Sequence, residues 1–244
     1  MKTAKPAGSS PRTVALVALV SLVDIACIFG IYLLGQLVVA AGLSAWGIND
    51  FELLSGKQGA LLTSYIAGGV AMAAGLFGLL YARKIPRSIL HLKKPNLGDA
   101  GYAVLGYLAY VMVLITVLGF ISVFIPSINL AQKQDIGLSP DSMGLTLVPI
   151  FIALVVVPSI TEELLFRGFL YNRLRARKLG FLVSSIITSL LFALLHGQVN
   201  VAIDTFILSM VMLFMFERRK NLWVAIFMHL IKNSVAFVGL FVIK

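Results

Sequence analysis

The sequence predicts an all-α fold, a polytopic transmembrane helical bundle of about seven spans, with eight as the alternative. Three observations carry that reading. Hydrophobic residues make up 59% of the 244, well above the share in an ordinary soluble domain. They gather in runs close to the roughly 20 residues a helix needs to cross hydrocarbon. Basic residues cluster in every second loop between those runs, which is how cytoplasmic loops are marked.

The first run follows "MKTAKPAGSSPR" and stays apolar from Thr13 to about Ala41. That exceeds the h-region of a cleavable signal peptide, so residues 14–40 are read as an uncleaved span, with cleavage near Ala40 and Ala41 as the minor alternative. Cys27, the only cysteine, lies inside it and reads as a small apolar packing residue; no intrachain disulfide is possible. In the second span, 60–82, Ala67, Ala71 and Gly75 stand four apart and invite a neighbouring backbone to approach. Spans at 100–125, 145–168, 181–198, 200–217 and 221–243 complete the set, the sixth needing a tight reversal at Gly197 to Asn200. The basic clusters (Lys2, Lys5 and Arg12; Arg83 to Lys94; Arg167 to Lys178; Arg218 to Lys220) then all fall on one side, and put the N-terminus in the cytoplasm. The expected location is the cytoplasmic membrane. The formal charge of +10 is assigned to lipid headgroups as partners, not to nucleic acid. No repeat or linker divides the chain, so 1–244 is taken as a single integral membrane domain.

Ionisable groups inside apolar spans are costly and face the bundle interior, where they pair or function. This chain has Asp24, Glu162, Glu163, Arg167, His196, Asp204, His229 and Lys232. In "TEELLFRGFL", Glu163 and Arg167 are four apart with the acid first, the favourable order for an ion pair on one helix face. Glu162 points about 100 degrees away, which leaves it as a candidate general base. "FALLH" puts Phe192 and His196 on one face, and "HLIKN" does the same for His229 and Asn233. His91, in "SILHLKKPN", is read as solvent-facing. Asp204 and Lys232 stand at similar distances from their shared loop and are expected to pair, with Asp24 a competitor for the lysine. "RLRARK" at 173–178 serves topology, with anionic lipid as a further partner. Pro158 precedes the acidic motif, and either bends a continuous helix or lets it restart at "SITE" with a capping box.

The three motifs together resemble the type II CAAX prenyl endopeptidases and bacteriocin-processing enzymes, the CPBP or Abi intramembrane proteases. The EExxxR, FxxxH and HxxxN pattern is met by Glu162, Glu163 and Arg167, by Phe192 and His196, and by His229 and Asn233. The resemblance covers about 145–240, which is taken as the catalytic core.

The resemblance implies peptide-bond hydrolysis in the membrane, on a prenylated protein or another membrane-associated peptide or protein. Glu162 assisted by His196 would activate water, His229 and Asn233 would donate to the oxyanion, and Glu163 held by Arg167 would orient the site. Zinc is an open alternative, with Glu162, His196 and His229 as ligands; metal-free glutamate catalysis fits as well. Two rivals stand beside the protease. One is a non-catalytic scaffold or regulator on the same fold. The other is a proton-coupled transporter, for which inverted repeats are expected and none is evident. By residue count, His196 is expected to lie deeper than Glu162, with tilt making up the difference.

Overall fold

A computed structural model describes residues 11–45, 57–132 and 147–243, apart from some side chains near helix ends. Among the described residues the long helices are α1 (Pro11–Ala45), α2 (Lys57–Ala82), α3 (Leu97–Phe124), α4 (Leu147–Ala176), α5 (Phe181–Leu194), α6 (Val199–Arg219) and α7 (Trp223–Phe241). There is no strand among the described residues. By length and composition, five helices can cross a membrane: α2, α3, α4, α6 and α7. Of α1, Val23–Val39 is a shorter apolar stretch, and α5 has only 14 residues. Together they form a multi-pass membrane bundle.

The length of α5 corrects one expectation. Fourteen residues rise about 21 Å, short of the roughly 30 Å of hydrocarbon, so the fifth element stops well before residue 198. It ends in a turn where Gly197 takes φ +69°, a left-handed conformation that glycine adopts without the Cβ penalty. Glu162 and His196, expected at different depths by residue count, line one cavity.

α4 is one continuous helix with two wider, π-type stretches at Ile152–Val156 and Leu164–Tyr171. The first ends at Val156, two residues before Pro158. Proline has no N–H to give the carbonyl one turn back, here Leu154, and Asn233 supplies a donor from α7 at 3.3 Å. The helix does not restart at "SITE": no side-chain cap forms there, and Thr161 Oγ1 instead donates to the Val157 carbonyl at 2.9 Å.

α1 packs on α2, α3 on α6 and α7, and α5 on α6, while α4 and α7 run through the middle. The small residues of α2 do what their spacing predicts. A Cβ on Gly35 would meet the Ala71 Cβ at 2.6 Å, and one on Gly75 would meet Ile31 at 3.0 Å. Apolar side chains such as Leu34, Leu37, Leu105, Leu108 and Met112 stay exposed on the outside, as a lipid-facing surface requires.

Three basic segments meet at one end. Asn96 and Asp99 form a reciprocal capping box at the start of α3. Asp99, fully buried, also accepts from Arg219 Nε at 3.0 Å and from Asn221 Nδ2 at 2.7 Å. Asn172 Nδ2 donates to the Ile89 carbonyl at 2.8 Å. His91 is not solvent-facing: it is half-buried edge-on to Phe216, with ring centroids 5.8 Å apart, and its carbonyl accepts from Leu222 N at 3.0 Å. Burial, with Lys220 and Lys93 nearby, holds its imidazole below the ordinary histidine range. Asp24 does not compete for Lys232. It pairs with Arg83 at 2.6 Å, while Lys232 pairs with Asp204 at 3.2 Å, as the sequence predicts, and the Tyr110 hydroxyl donates to the same aspartate.

Candidate active site

The polar centre is built by α4, α5 and α7 around a single carboxylate. Glu163 and Arg167 are both fully buried. Arg167 Nη1 donates to Glu163 Oε1 at 2.8 Å, and His229 Nδ1 reaches the same oxygen at 2.8 Å from 66 residues away. The carboxylate paired with Arg167 is the acceptor, so His229 Nδ1 is the donor of this bond. The acid-before-base spacing in the sequence therefore does form its pair, and the π-type stretch that begins at Leu164 starts immediately after the glutamate.

Phe192 of α5 closes this centre from the side. The Arg167 guanidinium lies 4.4 Å above its ring centroid, a cation–π contact strengthened by the absence of competing water. The His229 and His196 rings stand edge-on to it at 6.1 and 5.0 Å. His196 Nδ1 lies 2.9 Å from the Phe192 carbonyl, which only accepts, so Nδ1 is the donor of that bond. The three motifs thus converge on one aromatic ring.

Glu162 points away from that centre. Among the described residues it enters no ion pair, and it lines a cavity of about 490 Å³ with His196, Phe29, Tyr32, Phe166 and Phe192. A second cavity, of about 250 Å³, meets it on the Pro158 side and includes Gly69, Val157, Pro158 and Thr161. His229 and Asn233 line neither. Their polar atoms are turned to Glu163 and to the Leu154 carbonyl.

Sequence reasoning missed the wall opposite Glu162, formed by Phe29, Tyr32 and Leu33 of α1 with Tyr65 and Met72 of α2. One signal was present: Tyr32 and Gln36 are four apart in an apolar run, so the two polar groups share a helix face.

A zinc site does not assemble from the predicted ligands. Among the described residues no three His, Cys, Asp or Glu side chains come together to hold an ion, and His229 belongs to the Glu163–Arg167 centre while Glu162 and His196 face the cavity.

Residues 144–235 match the family model described as type II CAAX prenyl endopeptidase Rce1-like. The resemblance drawn from the three motifs is borne out. All six polar motif residues and Phe192 fall inside the matched stretch. A Bacillus subtilis (strain 168) protein named "Putative membrane peptidase YdiL" is 28% identical over 83 residues, 34% of this chain and 34% of that protein. The match therefore takes in about a third of the curated relative's length. No solved structure matches the chain.

Proposed function

We propose that this protein is an intramembrane endopeptidase of the Rce1-like kind, hydrolysing a peptide bond in a membrane-associated or prenylated protein or peptide. One observation carries the reading: of two adjacent glutamates, Glu163 is locked between Arg167 and His229, while Glu162 shares an open cavity with His196. One carboxylate is held and the other is available.

In the proposed mechanism Glu162 takes a proton from water as its oxygen attacks the scissile carbonyl carbon. The carbonyl electron pair moves onto oxygen, and when it returns the C–N bond breaks. Glu162 passes its proton to the leaving nitrogen, giving a carboxylate and an amine terminus. His196, anchored through Nδ1 to the Phe192 carbonyl, orients the water from the wall of the same cavity. Glu163, Arg167, His229 and Asn233 act as positioning residues that fix α4 against α5 and α7. The site is assigned to a cytoplasmic membrane with the N-terminus inside, on the strength of the basic loops that meet at one end.

The test is cleavage of quenched fluorescent peptides, with and without a prenyl group, by purified wild type and Glu162→Gln, each with and without chelator. Cleavage by wild type, a loss of at least about 10²-fold in the variant and an unchanged melting midpoint are expected. A wild type that cleaves nothing while Glu162→Gln supports the cellular role in full would replace the protease with the scaffold. Loss of activity on chelation would bring the zinc alternative back.

A further inference from the structure

The basic residues at one end of the bundle divide by whether a carboxylate answers them. Arg175 and Lys220 share Glu217 at 3.1 and 2.6 Å, and Arg219 holds Asp99 at 3.0 Å. Arg173 and Arg177, four apart in "RLRARK" and so on one side of the end of α4, enter no ion pair among the described residues. α1 packs against that last turn, Asn172–Ala176. There Arg173 comes within electrostatic range of Asp24, Arg83 and Arg177 together.

Asp24 is the one acid among the charges acting on Arg173. It is 1% exposed and pairs at 2.6 Å with Arg83, whose side chain is 39% exposed. Three guanidiniums, one from the end of α2 and two from the end of α4, thus gather at one buried carboxylate, and two positive charges are left over. Like charges held together repel. An anion with several acceptor oxygens relieves them, and phosphate matches the guanidinium fork in a bidentate way.

The surroundings favour a lipid as the source of that phosphate. The cluster sits where α2 and α4 end in a basic segment, the depth of headgroups. On α1, Leu19 and Val23 are 59% and 50% exposed, an apolar strip leading away from Asp24 on which acyl chains can lie. Tyr81, exposed at the end of α2, is an aromatic of the kind that marks the membrane–water boundary. Free inorganic phosphate would use the arginines and none of these.

We propose that Arg83, Arg173 and Arg177 bind the phosphate of an anionic phospholipid, with Asp24 as the buried anchor of Arg83. The headgroup ties α2 to α4 across α1. α1 carries Phe29 and Tyr32 into the Glu162 cavity, roughly 8 and 12 Å along the helix from Asp24, and Phe29 packs edge-on to Phe166 at 6.5 Å. The lipid therefore steadies the cavity wall from outside the site, and its binding stands whether or not the site is an endopeptidase.

The experiment places the full-length protein in nanodiscs of phosphatidylcholine, with and without phosphatidylglycerol. It compares wild type, Arg173→Gln/Arg177→Gln, and Lys94→Gln/Arg218→Gln, which removes equal charge elsewhere at the basic end. Arg83 keeps its pair with Asp24 in all three. The readouts are the lipid retained by native mass spectrometry and the shift in melting midpoint that phosphatidylglycerol produces in each protein, so a variant with a lower starting midpoint is still read. Wild type and the Lys94/Arg218 variant should retain phosphatidylglycerol over phosphatidylcholine and melt higher with it. Arg173→Gln/Arg177→Gln should bind it at least about tenfold more weakly and lose the shift. Equal responses from the two variants, or none from wild type, would overturn the site and leave the arginines to mark topology. A shift with inorganic phosphate alone as large as with phosphatidylglycerol would overturn the lipid in favour of the free anion.

Discussion

Removing Arg167 is the sharpest test of the buried centre. In Arg167→Ala, Glu163 stays at zero exposure with a carboxylate that has lost its cation. Breaking a buried pair from one side costs about 3–5 kcal/mol, because the remaining charge is left without compensation. The lost contact with Phe192 at 4.4 Å adds to the deficit. His229 Nδ1 still donates to the same oxygen at 2.8 Å, so the lower end, about 3 kcal/mol, is expected. At about 2–4 °C per kcal/mol for a chain of this length, the melting midpoint falls by roughly 6–12 °C. Thermal unfolding in detergent reads it. Adding Glu163→Gln to Arg167→Ala removes the stranded charge and should recover much of the loss, and the double-mutant cycle gives the coupling. If Arg167→Ala melts within about 2 °C of wild type, Glu163 is not a desolvated charge and the division of roles between the two glutamates fails with it.

Two more outcomes follow from the packing and from the basic end. At Gly69 a Cβ would meet Val157 Cγ1 at 2.1 Å, so Gly69→Ala must push α2 from α4 at about 1–3 kcal/mol; thermal unfolding should show a lower midpoint, and an unchanged one would mean that the two helices do not touch there. His91 is depressed below its ordinary range by burial and by Lys220 and Lys93. The unfolded chain then binds a proton more readily than the folded one, so His91's contribution is full above about pH 6.5, the ordinary value, and is lost as pH falls below it. Since Asn tolerates the left-handed backbone at φ 48°, His91→Asn should melt with a shallower pH dependence between about pH 7.5 and 5; parallel wild-type and variant curves would refute this.

What the sequence revealed was local, and what it hid was long-range. Glu163 and Arg167 pair because four residues on a helix bring side chains together wherever the helix sits, and apolar length alone marked most of the spans. The partner of Asp24 was different. Arg83 is 59 positions away at the end of α2, and no periodicity says which end of which helix lies beside it. His91 looked exposed because its neighbours are lysines, yet Phe216 of α6 covers it. α5 stops at Leu194 in a turn where Gly197 takes φ +69° and Leu195 and His196 border the cavity, a wall that no apolar run marks. Tyr32 and Gln36 are marked only by their spacing of four, because an uncharged pair that bonds to itself costs less to bury and leaves a fainter trace in an apolar run.

The motif residues consequently divide by what they face. Asn233 answers Pro158: a proline one turn before the acidic pair leaves the Leu154 carbonyl without its usual donor, and the last residue of the third motif supplies one from another helix. His229, one turn earlier on α7, reaches Glu163. Both bonds join α7 to α4 on either side of Glu162, which is how a helix carrying two π-type stretches can still hold that side chain at a fixed angle to the cavity. Phe192 braces Arg167 and His229 from α5 and sets the ring of His196 through its own carbonyl. Four of the polar motif residues therefore spend their interactions on one another and on the backbone, and the two left facing the cavity, Glu162 and His196, are the pair whose substitution should cost activity without costing the fold.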